Sequence, residues 1–300
     1  MRVLVTGGTG FIGTHLVKEL IANGHEEAVI DNRSNHYDKY PEVKHFPADI
    51  TKPLNEVFNK LAPECVIHLA AQVDVNQSLA KPVDDARTNI IGTINILEYC
   101  RKYHVSKVIY ASSAAVYGEP QYLGVDEEHP LIPLSFYGIS KLSGEQYVKT
   151  FAELYNFSYT ILRFANVYGP GDDKGESSVV SKFLRKMEMD QQPYVFGDGS
   201  QTRDFVYVKD VVSAIQSALK KGDNQILNIS TNQQTSLKEL VKKINTATGK
   251  SIDPIYTQGR IGEIQKSYLN NSKALTQLDW NIDYLLEDGL IEMLDRNTSK

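Results

Sequence analysis

The chain has 300 residues, a formal net charge of −5, and 41% hydrophobic and 23% charged side chains. That length can bury a sizeable core, as one large α/β unit or two domains sharing a cleft, in the composition of an ordinary globular protein. It carries no long run of lysine and arginine, so nucleic acid and anionic membrane, which need a basic face, are not expected partners.

Strand-like sequence begins at once with RVLVTGG from Arg2, which leaves no room for a signal peptide. No apolar run approaches the roughly 18 residues of a membrane span, and the expected location is cytoplasmic. Short β-branched runs then alternate with helical segments. Strands are expected at 3–6, 27–31, 43–49, 65–70, 107–112 and 159–164, with amphipathic helices at 11–22, 53–61, 82–103 and 136–155. Gly24 closes the first helix, and Thr51 with Pro53 opens the second as N-cap and first-turn residues. Nearly continuous apolar strands joined by helices imply a doubly wound parallel sheet, a Rossmann-type α/β fold. Its ligands sit beyond the carboxyl ends of the strands.

After Arg163 the rhythm changes. NVYGPGDDKGESS is turn-rich, and helices at about 177–190, 209–220 and 235–248 are separated by irregular polar segments. A Rossmann-type domain over 1–165 is therefore expected, followed over 166–300 by a smaller C-terminal domain that covers the ligand end of the sheet. Residues 204–230, with QILNIS at 225–230, return to the sheet edge. Cys65 and Cys100 fall on a strand and a helix and read as small buried apolar residues. The histidines, His15, His25, His36, His45, His68, His104 and His129, show no ligand spacing with Cys or acids. No metal site is expected.

The first strand runs into TGGTGFIG. Gly7 permits a tight turn, Gly10 lets the backbone approach a pyrophosphate, and Gly13 lets the following helix pack closely. That helix offers free N–H groups and its positive dipole end to phosphates. Asp31 ends the second strand 18 residues after Gly13. An acid there accepts hydrogen bonds from adenosine-ribose hydroxyls and repels a 2′-phosphate, which favours NAD over NADP. Arg33 is the one hint the other way.

Three further segments end strands on the same side of the sheet: HLAAQ (68–72), YASSAAVYG (110–118) and LRFANVYG (162–169). Tyr137 and Lys141, four apart in SFYGISKLSGEQY, share one helix face. A tyrosine with a pKa near 10 must drop by about three units, roughly 4 kcal/mol, to act as a base near neutrality. A lysine charge at about 4 Å supplies that much at an effective dielectric near 20. Ser113 is placed to hold a substrate hydroxyl in line.

Taken in order, TGGTGFIG, Asp31, HLAA, SSAAVYG, Tyr137-Gly-Ile-Ser-Lys141, RFANVYGP and RDFVYVKD resemble the extended short-chain dehydrogenase/reductases. Within them the set is most similar to the NAD-dependent nucleotide-sugar epimerases of the UDP-glucose 4-epimerase type, over residues 2 to about 280. The resemblance implies a catalytic trio of Ser113, Tyr137 and Lys141. It implies NAD contacts from Gly7, Gly10, Phe11, Ile12 and Gly13, from Asp31 and Asn32 at the adenosine ribose, and from Asp49 and Ile50 at the adenine. Ala70, Ala71 and Ser112 would line the cofactor with Tyr137 and Lys141, Asn89 would support the site, and Phe164 would lie against the nicotinamide.

At the substrate end, the resemblance gives Asn166 the UDP-sugar phosphates, and Tyr194 and Phe196 the uracil. Arg203 and Arg260 would grip the diphosphate with planar forks. Glu263, where relatives often have Asp, would meet the ribose, and Ser178 and Val179 would also bind the substrate. Ser267 stands at the family's gate beside the sugar 2-substituent, where a small residue leaves room for an N-acetyl group. In relatives, the helices matching 82–103 and 136–155 form a four-helix homodimer interface. Dehydratases of the group carry an acid after the active-site Ser/Thr; here Ala114 and Ala115 follow Ser113, and methyl groups shuttle no protons. The expectation is C4 epimerisation, with a nucleotide-sugar dehydratase and a non-catalytic NAD sensor as the alternatives.

Overall fold

Apolar β-branched runs build the centre of the molecule. The computed structural model describes residues 1–33, 43–171, 178–259 and 264–298. In it β1 (Arg2–Thr6), β2 (Glu26–Asp31), β3 (Lys44–Pro47), β4 (Cys65–His68), β5 (Lys107–Ser113) and β6 (Ser158–Phe164) lie in one sheet. The short β7 (Asn166–Tyr168), β8 (Tyr194–Phe196), β9 (Thr202–Arg203) and β10 (Phe205–Tyr207) lie outside it, and β11 (Gln225–Ile229) pairs with β6. The order is β11-β6-β5-β4-β1-β2-β3, and all six neighbouring pairs are parallel. Chain order reverses between β1 and β4, where Thr6 stands beside His68. That is the switch point at which doubly wound sheets hold their ligands.

Strand residues alternate between two apolar faces, so both must be covered. On one side Val3, Val5, Ile67, Ile109 and Leu162 pack with α1 (Phe11–Ala22) and with Val211, Ile215 and Trp280 from further along the chain. On the other, Leu4, Val66, Val108 and Ile161 meet Phe58, Ile96 and Val148. Those three come from α2 (Asn55–Leu61), α5 (Gly92–Lys102) and α6 (Phe136–Tyr155). Between α2 and α5 run α3 (Val75–Ala80) and α4 (Pro82–Ala86). A further core gathers α7 (Val179–Glu188), α9 (Leu237–Thr248) and α11 (Leu286–Thr298) around Tyr168, Tyr207, Leu240 and Leu290. α8 (Val208–Ala218) lies against the main sheet, as does α10 (Ser272–Leu278).

Three expectations need correction. The second helix begins at Asn55, not at Pro53. The Thr51 N–H donates instead to Asp49 Oδ1 at 2.8 Å, so this stretch closes on an Asx turn. The span 82–103 is not one uniform helix, because a π-helical turn at Arg87–Ile91 joins α4 to α5. An extra helix, α3, is capped by Asp74, whose Oδ1 accepts the N–H groups of Asn76 and Gln77.

Candidate active site

At the β1–α1 turn, Gly7 has φ +72°, and a Cβ there would meet Ala70 N at 2.8 Å. The turn and the close approach of the β4 end both demand glycine. A Cβ on Gly13 would lie 2.2 Å from Gly7 O, so α1 sits directly on the turn. At Gly10 a Cβ would meet only Gly7 O, at 3.1 Å; its absence keeps a cradle open rather than a contact close. Gly10 is the N-cap of α1 and has no side-chain cap, which leaves the first-turn N–H groups, Phe11 and Ile12 included, for an anion.

Asp31, buried at the end of β2, accepts the Thr9 N–H on Oδ2 at 3.1 Å and the Arg33 N–H on Oδ1 at 3.0 Å. The carboxylate is thus fixed beside the glycine turn, with Asn32 exposed next to it. Ile50 is buried against Gly92, and its carbonyl accepts from Asn95 Nδ2 at 2.6 Å. An open cradle at a helix N-terminus and an oriented acid at the second strand fit a dinucleotide.

β5 ends at Ser113, whose register partner on β6 is the buried Phe164. Ser113 Oγ accepts the Ala115 N–H at 3.2 Å, tying the serine to the short turn Ala114–Val116. Against that turn stands α6, capped by Ser135, whose hydroxyl accepts the Gly138 N–H. A Cβ at Gly138 would come within 2.5 Å of Ala115 O. This glycine, not singled out by the spacing of the Tyr–Lys pair, lets Tyr137 sit beside Ser113, close enough for the serine to favour the ionised tyrosine.

Tyr137 is 9% exposed and Lys141 4%. Lys141 Nζ lies 5.9 Å from the Tyr137 ring centroid and donates to Ala111 O at 2.8 Å. The electrostatic expectation is corrected here. Burial pushes the Tyr137 hydroxyl up to about 12, partly offset by the Ser113 hydrogen bond and reinforced by the charge of Asp85. Burial also pulls Lys141 down to about 8, against the charges of Asp85 and Glu145.

Behind the pair lies a buried polar network. Asn89 Oδ1 accepts the Gln72 N–H at 2.8 Å, and its Nδ2 lies 2.9 Å from Gln72 O and 3.1 Å from Ser140 Oγ. Ser140 in turn donates to Tyr137 O at 3.0 Å. Asn89 therefore holds the end of HLAAQ to α6. His68, given no role by its spacing, is wired in as well. Thr93 Oγ1 donates to Asn89 O, so at 3.0 Å it accepts from His68 Nε2. Thr6 Oγ1 accepts the Ala70 N–H and donates to His68 Nδ1 at 2.7 Å. Burial holds His68 down to about 3, so the ring stays neutral with its proton on Nε2.

Other expected residues fall less simply. Ser112 turns its hydroxyl onto Glu145 Oε1 at 2.5 Å and joins the buried Arg163–Glu145 pair. Ser178 caps α7 through Ser181, with Val179 opening the helix. Asn166 is exposed, and its N–H donates to Asp204 O. Tyr194 and Phe196 flank the buried Val195 on β8, so both point off one face. Arg203 Nη1 donates to Thr202 O and to Ile264 O at 2.8 Å, tying the segment before the half-buried Ser267 to β9. Ala71 and Asp49 are half-buried near their strand ends. Arg260 and Glu263 lie outside the described residues.

Fold and site together are those of a dinucleotide-dependent enzyme acting at an alcohol carbon. The chain belongs to the NAD dependent epimerase/dehydratase family, whose model matches residues 3–230. It is an isomerase that uses NAD. It is 40% identical to a UDP-glucose 4-epimerase of Thermotoga maritima solved with UDP-glucose, with 100% of each chain covered and a TM-score of 0.96. A UDP-glucose 4-epimerase of Mycolicibacterium smegmatis is 36% identical over 316 residues, 100% of each chain. A UDP-N-acetylglucosamine 4-epimerase of Methanobrevibacter ruminantium, solved with UDP-N-acetylmuramic acid, is 31% identical with a TM-score of 0.93, over 99% of this chain and 98% of that one. No described helix is long and apolar enough to cross a membrane.

Proposed function

We propose that this enzyme inverts carbon 4 of a UDP-hexose, taking UDP-glucose and UDP-galactose and also their N-acetylhexosamine counterparts. The observation that carries the reading is Tyr137 beside Ser113 with Lys141 one turn along, and methyl groups at Ala114 and Ala115 next to them. Ser113 orients the 4-hydroxyl. Tyr137 takes its proton and gives it back, while the Lys141 ammonium favours the tyrosinate. NAD, held by the Gly7–Gly13 turn and Asp31, would supply reversible hydride exchange with carbon 4, and its positive charge would also favour the tyrosinate. No group at 114 or 115 can pull water from the sugar, which sets the dehydratase alternative aside. A mere NAD sensor has no use for the trio.

On the substrate side, Tyr194 and Phe196 would flank the uracil. Asn166, Arg203 and Arg260 would hold the diphosphate, Glu263 the ribose, and Ser178 and Val179 the near wall. The small side chain of Ser267 supports the N-acetyl substrates, since nothing bulky fills that position. Two copies of the chain would pair through the helices around α5 and α6, where Val83 is 68%, Ile91 53%, Ile139 46% and Leu154 66% exposed. Stripes of that kind mark contact surfaces; light scattering on the purified protein reads the dimer directly.

The test incubates purified protein with UDP-glucose and, separately, UDP-N-acetylglucosamine, with no added cofactor, and follows the sugars by proton NMR. Both 4-epimers should form. Turnover of UDP-glucose alone removes the role given to Ser267. Dehydrated sugar, or no change even with added NAD, overturns the reaction.

A further inference from the structure

One buried acid has no place in the roles described so far. Asp85 is 1% exposed at the end of α4. Its Oδ1 accepts from Gln72 Nε2 at 3.0 Å and Asn89 Nδ2 at 3.1 Å. Its Oδ2 is buried with no hydrogen-bond partner among the described residues. The nearby Arg87 pairs with Asp84 instead, at 3.6 Å. A buried carboxylate left without a counter-ion is strongly unfavourable, so a cation close at hand is expected to answer it.

That cation is identified by elimination among the groups facing the Asp85–Lys141 region. From β6, Arg163 is held by Glu145 through Nε at 2.9 Å and Nη2 at 2.7 Å. From β4, His68 is kept neutral by burial. From β5, Tyr110 presents its ring 5.2 Å from Lys141 Nζ, and from α6 itself Tyr137 lies at 5.9 Å, both uncharged. Glu145 also faces Lys141, but its charge is matched by Arg163. Among the described residues considered, Lys141 is left as the cation that answers the charge of Asp85. The two are joined besides through Asn89 and Ser140, the residue before Lys141.

We propose that Asp85 is a positioning residue for the epimerase reaction, the buried counter-charge that keeps Lys141 an ammonium beside Tyr137. The proposal rests on the function given above. Asp85 touches neither substrate nor the reacting carbon; it acts through Lys141, whose proton the charges of Asp85 and Glu145 retain against the pull of burial.

Asp85→Asn keeps the shape and an oxygen for Gln72 and Asn89 while removing the charge. Two readouts are taken on the NAD-loaded protein: kcat against pH from 5.5 to 9.5 with UDP-glucose, and the 15N shift of Lys141 Nζ, assigned with Lys141→Arg. The alkaline fall in kcat and the Nζ titration should both move to lower pH by about one unit, a tenfold change in proton affinity. At pH 6 turnover should stay within a few-fold of wild type. If both curves superimpose on wild type, Asp85 only shapes the helix junction and the proposal is overturned. Should the variant fail to fold, the wild type still decides: a Lys141 already deprotonated at pH 7 overturns the proposal, whereas one charged up to pH 8 or above supports it. A wild type that epimerises no UDP-hexose ends the functional reading alone, because the NMR titration still judges Asp85.

Discussion

A buried tyrosine pushed up to about 12 is a poor base by itself. Bringing it to about 7 requires ~7 kcal/mol of selective stabilisation of the tyrosinate, at 1.36 kcal/mol per pKa unit. The simple spacing argument asked Lys141 for the whole of a smaller drop. With its ammonium 5.9 Å from the ring and committed to Ala111 O, the lysine would supply a part and the cofactor's charge the rest, because the raised value already contains the help of Ser113. Burial explains the difference, and burial of a single side chain is invisible in a Y-x-x-x-K pattern. Tyr137→Phe should therefore lower turnover by about 10²–10⁴-fold, with NAD retention, read by absorbance of the released nucleotide, unchanged. A loss below tenfold would remove Tyr137 from proton transfer. Asp85 and His68 were illegible for a similar reason. Asp84 and Asp85 are equivalent neighbours on paper, and only the packing of α4 shows that one is exposed with Arg87 while the other is 1% exposed beside α6.

Elements, by contrast, were legible wherever the physics is local. Apolar runs bounded by glycine and polar residues gave all six strands up to residue 164, and the 3.6-residue pattern of α6 gave a helix at its observed position, 136–155. Helix ends set by a side-chain turn, as at Asp49–Thr51, and the π turn at 87–91 carry no comparable periodic signal. What joins the elements was also hidden. Arg163 from β6 and Glu145 from α6, 1% and 0% exposed, pair through two hydrogen bonds. Ser112 of β5 adds a third contact, and Tyr117 carries the network on to Asn228 of β11. Removing one partner of such a pair strands a buried charge. Glu145→Gln should destabilise the fold by ~3–5 kcal/mol in urea denaturation. Adding Arg163→Met should recover much of that loss, because neither charge of the pair then remains. A double variant no better than the single would mean that the network is needed as a whole.

Across the molecule, the turn-rich C-terminal part must be held to the sheet, and Asp204 is one of the clamps. Its Oδ1 accepts the Thr231 N–H and hydroxyl at 2.8 and 2.7 Å, just past β11. Its Oδ2 accepts the Asn232 N–H at 3.1 Å and the Leu269 N–H at 3.4 Å, two residues from Ser267. Burial nonetheless wins over these hydrogen bonds and pushes the carboxyl up to about 6. An acid whose folded value is raised binds more protons folded than unfolded between pH ~4 and 6, so its contribution to stability is present below that window and lost as pH rises through it. The change from 3.8 to about 6 corresponds to ~3 kcal/mol. Asp204→Asn has no proton to lose. The difference in unfolding free energy, variant minus wild type, should therefore rise by up to ~3 kcal/mol between pH 4 and pH 7, whatever constant offset the altered hydrogen bonds add. Urea melts of the two proteins at matched pH measure that slope. A flat difference would mean that the clamp is already ionised at pH 4, and that its hydrogen bonds outweigh its burial.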